Sequence, residues 1–258
     1  MASAGNGNER FNAEAATWDT KPSVLEATQL AFNTLQPIIT ALSEQQKAHT
    51  ETDQGTGLNV LEIGCGTGLL TLRVAPLVNE IVAIDPSEGM IEVLQKKIER
   101  NTDAVEINTN GTNGPRHKSR TNVVPICHLL EDSNSPILPH RNFNLILSHL
   151  VLHHVPDLRS FLSILLGCLA PGGQVALTDF EDFGPEAIKF HPPSKLAGVQ
   201  RHGIKRTEME HIMKGVGFIN VKVRVGWTLT KPIDAWEGME KGATGNFPFL
   251  VGEGARAL

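Results

Sequence analysis

The chain has 258 residues, 40% of them hydrophobic and 20% charged, which is the balance of a chain that can bury a sizeable core. Its net charge of -5 and its lack of a sustained Lys/Arg block argue against a protein built to hold nucleic acid, because phosphate binding needs clustered basic side chains. Three cysteines are too few for a disulfide framework, and no apolar run is long enough to span a membrane. We therefore expect a cytoplasmic protein with reduced thiols.

The N-terminal part of the chain predicts a helical cap over 11–57. Residues 1–10 are polar, and we expect them to be a disordered tail. From Val24 to Leu42 apolar residues recur every three or four positions, as they do along one face of a helix. Pro37 lies inside this pattern and is expected to kink or split the helix.

The stretch 59–85 predicts a strand, a glycine-rich turn, a helix and a second strand that ends on an acid. The first strand is an apolar run that leads directly into Gly64, Gly66 and Gly68. The second ends at Asp85. This is the pattern of a βαβ unit with a ligand-binding turn, in which glycine lets the backbone approach a ligand closely.

The rest of the chain continues the alternation of helices and strands. Ser87 is a plausible N-cap for the next helix, and the polar residues 101–122 predict a surface insertion. The remaining predicted strands are 123–129, 143–147, 174–179, 218–225 and 247–251, and the remaining predicted helices are 158–169 and 207–215. The long connection 181–206 mixes aromatic and charged residues and could form a lid over a substrate.

This order predicts an α/β fold, a mostly parallel, doubly wound sheet with helices on both faces. The strands at 218–225 and 247–251 fit an antiparallel addition at one edge of that sheet. We expect one domain over 11–258. In such sheets ligands bind across the carboxyl ends of the strands, so the residues that follow each strand are the candidates for a site.

The spacing of the glycines narrows the choice of ligand. A dinucleotide-binding turn needs G-x-G-x-x-G/A, and position 69 is leucine. A phosphate-binding G-x-x-x-x-G-K-[ST] loop is also absent from the sequence. A carboxylate such as Asp85 can accept hydrogen bonds from both hydroxyls of a ribose. These features favour a nucleoside without phosphates that carries a charged amino-acid tail.

The sequence resembles the class I S-adenosylmethionine-dependent methyltransferases in four segments, VLEIGCGTG, AIDPSEGM, FNLILSHLVLHHVPDL and LAPGGQVALTDF. The resemblance covers roughly 11–225, and it is greatest to the small-molecule group that includes quinone-biosynthesis enzymes. It implies a Rossmann-like sheet of seven strands in the order 3-2-1-4-5-7-6. It also implies S-adenosyl-L-methionine as the cofactor.

The resemblance further implies a set of cofactor-binding residues. The methionine part would lie over the glycine turn, which is ordered by Glu62 and consists of Gly64, Cys65, Gly66, Thr67 and Gly68. Asp85 would hold the ribose. The adenine would be flanked by Pro86, Ser87 and Met90. Either Glu131 or Asp132 would meet the adenine amino group, with Asp132 slightly favoured. The others implied are Ser148 and His149 beside the cofactor amino group and Trp18 closing over the site.

The acceptor is expected to be a small molecule, with O, N or C as the methylated atom left open, as is the oligomeric state. His154 and His191 are weak candidates for a general base. A metal site is not expected, because no acidic ligands join His149, His153 and His154 at a regular spacing. Two alternatives remain: a catalytically idle cofactor-binding regulatory or scaffold protein, and a nicotinamide-dependent oxidoreductase, which Leu69 disfavours.

Overall fold

The computed structural model describes residues 5–48, 57–107, 122–138, 142–196, 198–233 and 235–258. Seven strands form one sheet: β1 (Asn59–Ile63), β2 (Glu80–Asp85), β3 (Val123–Cys127), β4 (Phe143–His149), β5 (Leu169–Phe180), β6 (Ile219–Pro232) and β7 (Thr244–Ala255). Their order across the sheet is β3-β2-β1-β4-β5-β7-β6, which confirms the predicted topology.

The first five strands are parallel, and β7 runs antiparallel between β5 and β6. The central strands were predictable because both of their faces are buried, so that β1, β2 and β4 are nearly continuous apolar runs. The last two strands extend well beyond the predicted 218–225 and 247–251, and they pair from Ile219↔Ala255 to Pro232↔Thr244. The added part of β6 is mostly exposed or half-buried, and the added C-terminal part of β7 is rich in glycine, so neither has the apolar run that marks a buried strand.

Helices cover both faces of the sheet. They are α1 (Gly5–Trp18), α2 (Pro22–Ala48), α3 (Thr71–Val74), α4 (Glu88–Ile107), α5 (Leu158–Cys168) and α6 (Arg206–Val216). One apolar core joins the sheet to α5 and α6, through residues such as Leu165 and Met213. A second core joins the opposite face to α2, through Leu35 and Ile39. Among the described residues no helix is both long and apolar enough to cross a bilayer.

Three predictions for the N-terminal half differ from the structure. Helix α1 begins at Gly5, so residues 5–10 of the predicted disordered tail are helical, and residues 1–4 lie outside the described part of the chain. Helix α2 runs through Pro37 without being split. Helix α4 extends to Ile107 into the predicted insertion 101–122, of which 108–121 is not described.

The predicted lid 181–206 has its two ends held together. Glu181 forms an isolated bridge with Ile204, and the Asp182 N–H donates to the Ile204 carbonyl at 3.0 Å. The segment contains two short 3₁₀ helices, Pro185–Phe190 and Pro193–Lys195. Within this segment the His191 ring lies 5.0 Å from the His153 ring, in the loop after β4.

Candidate active site

The glycine turn follows β1 and is held against the end of β2. The Gly64 and Cys65 N–H groups both donate to the Ile84 carbonyl, at 2.7 and 3.1 Å. Gly64, Gly66 and Gly68 have φ values of 70°, 53° and 78°, a region that side-chain-bearing residues rarely adopt.

The three glycines differ in what surrounds them. A Cβ at Gly64 would overlap the Val151 side chain, and one at Gly68 would overlap Leu94. A Cβ at Gly66 would meet no atom closer than the Met90 sulfur at 4.0 Å. Gly64 and Gly68 are therefore required by packing within the protein, whereas Gly66 borders open space into which a ligand can approach.

Asp85 ends β2 and binds the glycine turn directly. Its Oδ2 accepts from the Gly66 N–H at 2.9 Å, and its Oδ1 accepts from the Ser87 N–H at 2.8 Å. Burial raises the pKa of Asp85, while these two N–H donors act in the opposite direction. Each carboxylate oxygen retains a further lone pair, so the side chain can still accept from two hydroxyls.

Glu62 lies in β1 beneath the turn and is 2% exposed. Burial raises its pKa to about 8; the Thr71 hydroxyl opposes this rise and the charge of Asp85 adds to it. Its Oε2 has no hydrogen-bond partner among the described residues. Glu62 is thus a mostly neutral acid at pH 7, and a nearby positive charge would favour its ionised form. Burial also raises the pKa of the neighbouring Cys65 thiol.

The start of α4 and helix α1 meet beside this turn. Asn12 Oδ1 accepts from the Ser87 hydroxyl at 2.7 Å and from the Gly89 N–H at 2.9 Å. Ser87 Oγ in turn lies 3.4 Å from the Met90 N–H, which supports the predicted N-cap. Pro86 is half-buried, and Met90 is buried.

Asp19, which the sequence argument missed, fastens the end of α1 to the glycine turn. Its carboxylate accepts from the Thr67 hydroxyl and from Lys97 Nζ, both at 2.5 Å. Lys97 Nζ also donates to the Thr67 carbonyl at 2.7 Å. These contacts place α1 across one side of the turn. Asp19 follows directly after Trp18 in the predicted cap, but an acid in a polar segment carries no local sign of such a contact.

Trp18 lies half-buried on α1 and contacts aromatic and charged neighbours. The Phe11 ring meets it edge-on at 5.7 Å, and Lys21 Nζ lies 4.2 Å from its ring centre. Phe11 also meets His154 edge-on at 5.6 Å. Helix α1 therefore links the side of the glycine turn to the loop that follows β4.

The predicted residues after β3 and β4 occupy different environments. Glu131 and Asp132 are exposed, and Asp132 Oδ1 accepts from the Asn134 N–H at 2.9 Å. Ser148 is fully buried, and its hydroxyl oxygen lacks a hydrogen-bond partner in the described part of the chain. His149 Nδ1 lies 2.9 Å from Thr178 Oγ1, and burial lowers the pKa of His149 to about 4.

The loop after β4 brings together histidines that are separated in the sequence. His153, His154 and His191 each have a ring nitrogen within 4.8 Å of those of the other two. His153 Nδ1 lies 2.9 Å from Asp179 Oδ1, and His154 Nδ1 lies 3.1 Å from the Gly198 carbonyl oxygen. Burial lowers the pKa of His154 to about 4 and that of His191 to about 2, with His153 as the next cause in both.

An aromatic wall borders this histidine cluster. Its members are Phe180, Phe190, Phe247, Phe249 and Trp227, which pack with Leu150 and Ala27. Phe180 and Phe190 stack at 4.0 Å, and Trp227 and Phe249 stack at 4.8 Å. Because Val151 packs over Gly64 and Leu150 packs in the wall, consecutive residues join the glycine turn to the aromatic wall.

Comparison with known proteins identifies the family. Residues 29–223 match the family described as "Methyltransferase domain". An uncharacterized methyltransferase of Schizosaccharomyces pombe is 25% identical over 57% of this chain and 48% of its own length. A ubiquinone biosynthesis O-methyltransferase of Bradyrhizobium sp. is 26% identical over 48% of this chain and 40% of its own length. The chain thus matches half or less of the length of these relatives.

A solved structure shares the fold. Phosphoethanolamine N-methyltransferase 2 of Haemonchus contortus, in complex with S-adenosyl-L-methionine, aligns with a TM-score of 0.55 at 15% identity, over 96% of this chain and 60% of the other. The family match extends over most of the chain, so the chain belongs to the methyltransferase-domain family. This confirms the predicted resemblance at the level of the family. S-adenosyl-L-methionine, which the neighbouring structure holds, is the cofactor that the resemblance implies.

The residues present fit this cofactor. The open space beside Gly66 admits a ligand against the backbone of the turn. Asp85 offers acceptors to a ribose, and the unpartnered oxygens of Glu62 and Ser148 remain available near the carboxyl ends of β1 and β4. The cofactor carries positive charge on its sulfonium and amino groups, which suits a turn bordered by two acids.

Proposed function

We propose that the protein transfers a methyl group from S-adenosyl-L-methionine to a small, ring-containing molecule bound between helix α1 and the aromatic wall. The observation that carries this proposal is the direct connection between cofactor turn and wall. Val151 covers Gly64, Leu150 packs among the aromatic rings, and His154 contacts Phe11 of α1. An acceptor held there would lie next to the cofactor turn and would be shielded from water.

We assign the cofactor half of the site as follows. Gly66 provides the close approach, Asp85 accepts from the ribose hydroxyls, and Pro86, Ser87 and Met90 border the adenine. Glu62 orders the turn from below, while Trp18 and Asp19 close it from the side. When bound, the cofactor supplies a methyl group on a sulfonium, a good leaving group. The chain's own task is to align the acceptor with that methyl group and to exclude water.

The acceptor half favours a planar apolar ring with a polar substituent. Phe180, Phe247 and Phe249 are almost fully buried and make the wall apolar, whereas Trp227 is half-buried at its edge. An apolar boundary of this kind suits an aromatic or quinonoid ring. Lys231 lies beside Phe190, 4.4 Å from its ring centre, and burial lowers the pKa of Lys231 to about 8. One relative is named for O-methylation in ubiquinone biosynthesis, so phenols are the first acceptors to test.

A hydroxyl acceptor must lose a proton during transfer. His154 and His191 are neutral at pH 7 because burial lowers the pKa of each, so each can accept a proton. A base of such low pKa is weak on its own at neutral pH. We therefore assign both residues to binding and orienting the acceptor as well as to proton acceptance.

The test is an acceptor screen. Purified protein and S-adenosyl-L-methionine are incubated with panels of phenols, amines and quinone precursors, and S-adenosylhomocysteine is quantified. We expect turnover with ring hydroxyls and a large loss of turnover in Phe190→Ala, with Phe183→Ala, an exposed aromatic of the same segment, as the matched control. Cofactor binding without turnover on any panel would favour the idle regulatory or scaffold protein. Stabilisation by NAD alone would favour the oxidoreductase.

We also propose a reducing, cytosolic location. Cys65, Cys127 and Cys168 are free thiols in the structure, and Cys65 and Cys168 are buried. Free thiols persist where glutathione and thioredoxin keep them reduced. Fractionation of cells that produce the full protein tests this location.

A further inference from the structure

The three histidines beside the aromatic wall have the arrangement of a metal site. One ring nitrogen from each of His153, His154 and His191 lies within 4.8 Å of the other two. Nitrogen ligands at about 2.0–2.1 Å from a tetrahedral zinc ion are roughly 3.3 Å apart, so the three nitrogens would have to approach one another by up to about 1.5 Å on binding. His153 lies at the base of the cluster and is 2% exposed.

Two of the three rings are already oriented by acceptors on their other side. Asp179 Oδ1 and Oδ2 lie 2.9 and 3.0 Å from His153 Nδ1, and Asp179 Oδ2 also accepts from the His153 backbone N–H at 3.0 Å. The Gly198 carbonyl accepts from His154 Nδ1. A carboxylate or carbonyl on one ring nitrogen fixes the tautomer that leaves the other nitrogen free as a ligand.

The free nitrogens are buried and unpartnered. His153 Nε2 and His191 Nδ1 have no hydrogen-bond partner among the residues that the structure describes. Buried polar atoms usually have a partner, and both of these nitrogens have their lone pair or N–H free for one. A cation would satisfy both at once, because a neutral imidazole nitrogen donates its lone pair to a metal.

We propose that His153, His154 and His191 bind one divalent transition-metal ion of the zinc class, with Asp179 as the positioning residue behind His153. Three neutral imidazoles suit zinc and its neighbours in the transition series rather than magnesium or calcium, which prefer oxygen ligands.

The fourth position of such an ion would face the space bordered by α1 and the aromatic wall. A hydroxyl or thiol of the acceptor bound there would lose its proton to water more easily. With the ion bound, His154 and His191 would hold the metal and would not accept that proton, so the ion would replace the proton-accepting role proposed for them above. This use rests on the proposed methyl transfer, whereas metal binding itself does not. This proposal differs from the expectation of no metal site, which weighed His149 with His153 and His154; His149 lies beside Thr178 and Phe249.

Metal binding is tested without any activity measurement. The full chain is stripped with a chelator and titrated with Zn²⁺ by calorimetry and with Co²⁺ by visible absorption. We expect one ion per chain and the intense visible bands of four-coordinate Co²⁺. His154→Ala and His191→Ala should each weaken Zn²⁺ binding at least tenfold, and Asp179→Asn by about 10- to 100-fold. His211→Ala, which removes an exposed histidine of α6, should bind Zn²⁺ like the wild type.

Two results would overturn the proposal. One is wild-type protein that takes up no stoichiometric Zn²⁺ or Co²⁺; the other is unchanged affinity in the His154 and His191 variants. X-ray absorption at the zinc edge of the wild-type protein covers the case in which the variants fail to fold. It should show three nitrogen ligands of imidazole type at about 2.0–2.1 Å. Sulfur ligands, or oxygen ligands alone, would contradict the assignment.

Discussion

Replacing Glu62 with glutamine tests the electrostatics beneath the glycine turn. Glu62 is buried, and its pKa rises from 4.5 to about 8. At 1.36 kcal/mol per pH unit, this rise means that the folded protein favours the neutral form of Glu62 over the ionised form by roughly 5 kcal/mol more than the unfolded chain does. Glutamine keeps the size of the side chain and stays neutral at every pH.

The sign of the effect follows from the direction of the shift. The folded state holds its proton more tightly than the unfolded state, so between pH 4.5 and 8 the folded state binds more protons. The contribution of Glu62 to the free energy of unfolding is therefore fully present below its pKa in the unfolded state. It is lost as the pH rises through its pKa in the folded state. At pH 7 the wild type should have lost about 3 kcal/mol relative to pH 4.5, a loss that Glu62→Gln should not share.

Urea unfolding at a series of pH values measures this difference. The experiment is done without cofactor, because a bound cation would itself shift the pKa of Glu62. Glu237→Gln, at an exposed position, is the control and should follow the wild type. Parallel stability curves for wild type and Glu62→Gln between pH 4.5 and 7 would refute a raised pKa at Glu62.

Four further substitutions probe the same turn. Gly66→Ala should cost about 1–2 kcal/mol of backbone strain and abolish thermal stabilisation by S-adenosyl-L-methionine. Gly68→Ala should lower the melting temperature more than Gly66→Ala does, because the added Cβ also overlaps Leu94. Asp85→Ala should reduce cofactor affinity at least tenfold in calorimetry, since a hydrogen bond to a charged group contributes about 1.5–3 kcal/mol; unchanged affinity would contradict the ribose assignment. Asp19→Ala should loosen α1 and weaken cofactor binding about fivefold, because the ion pair that it removes is worth about 1 kcal/mol. An unaltered dissociation constant would show that α1 does not close the site.

The sequence predicts the sheet and the cofactor turn because both are encoded locally. Buried parallel strands are continuous apolar runs, and the turn needs glycine at positions with positive φ. Helix α1 was not predicted over 5–10, because its polar residues have no helical period. Its observed contacts, such as Asn12 with Ser87 and Gly89, are tertiary.

The acceptor side of the site has no comparable local pattern. It is assembled from α1, the loop after β4, the end of β5, the segment 181–206 and strands β6 and β7, so its residues are scattered along the chain. His191 shows the difficulty: it is flanked by Phe190 and Pro192, and only the folded chain brings it to within ligand distance of His153. Family membership therefore supports the proposal for the cofactor half of the site, whose residues lie mainly within one βαβ unit. The acceptor half depends on long-range packing that is free to vary while the turn is retained, so the chemistry of the acceptor must be read from the histidines and aromatic rings of this chain itself.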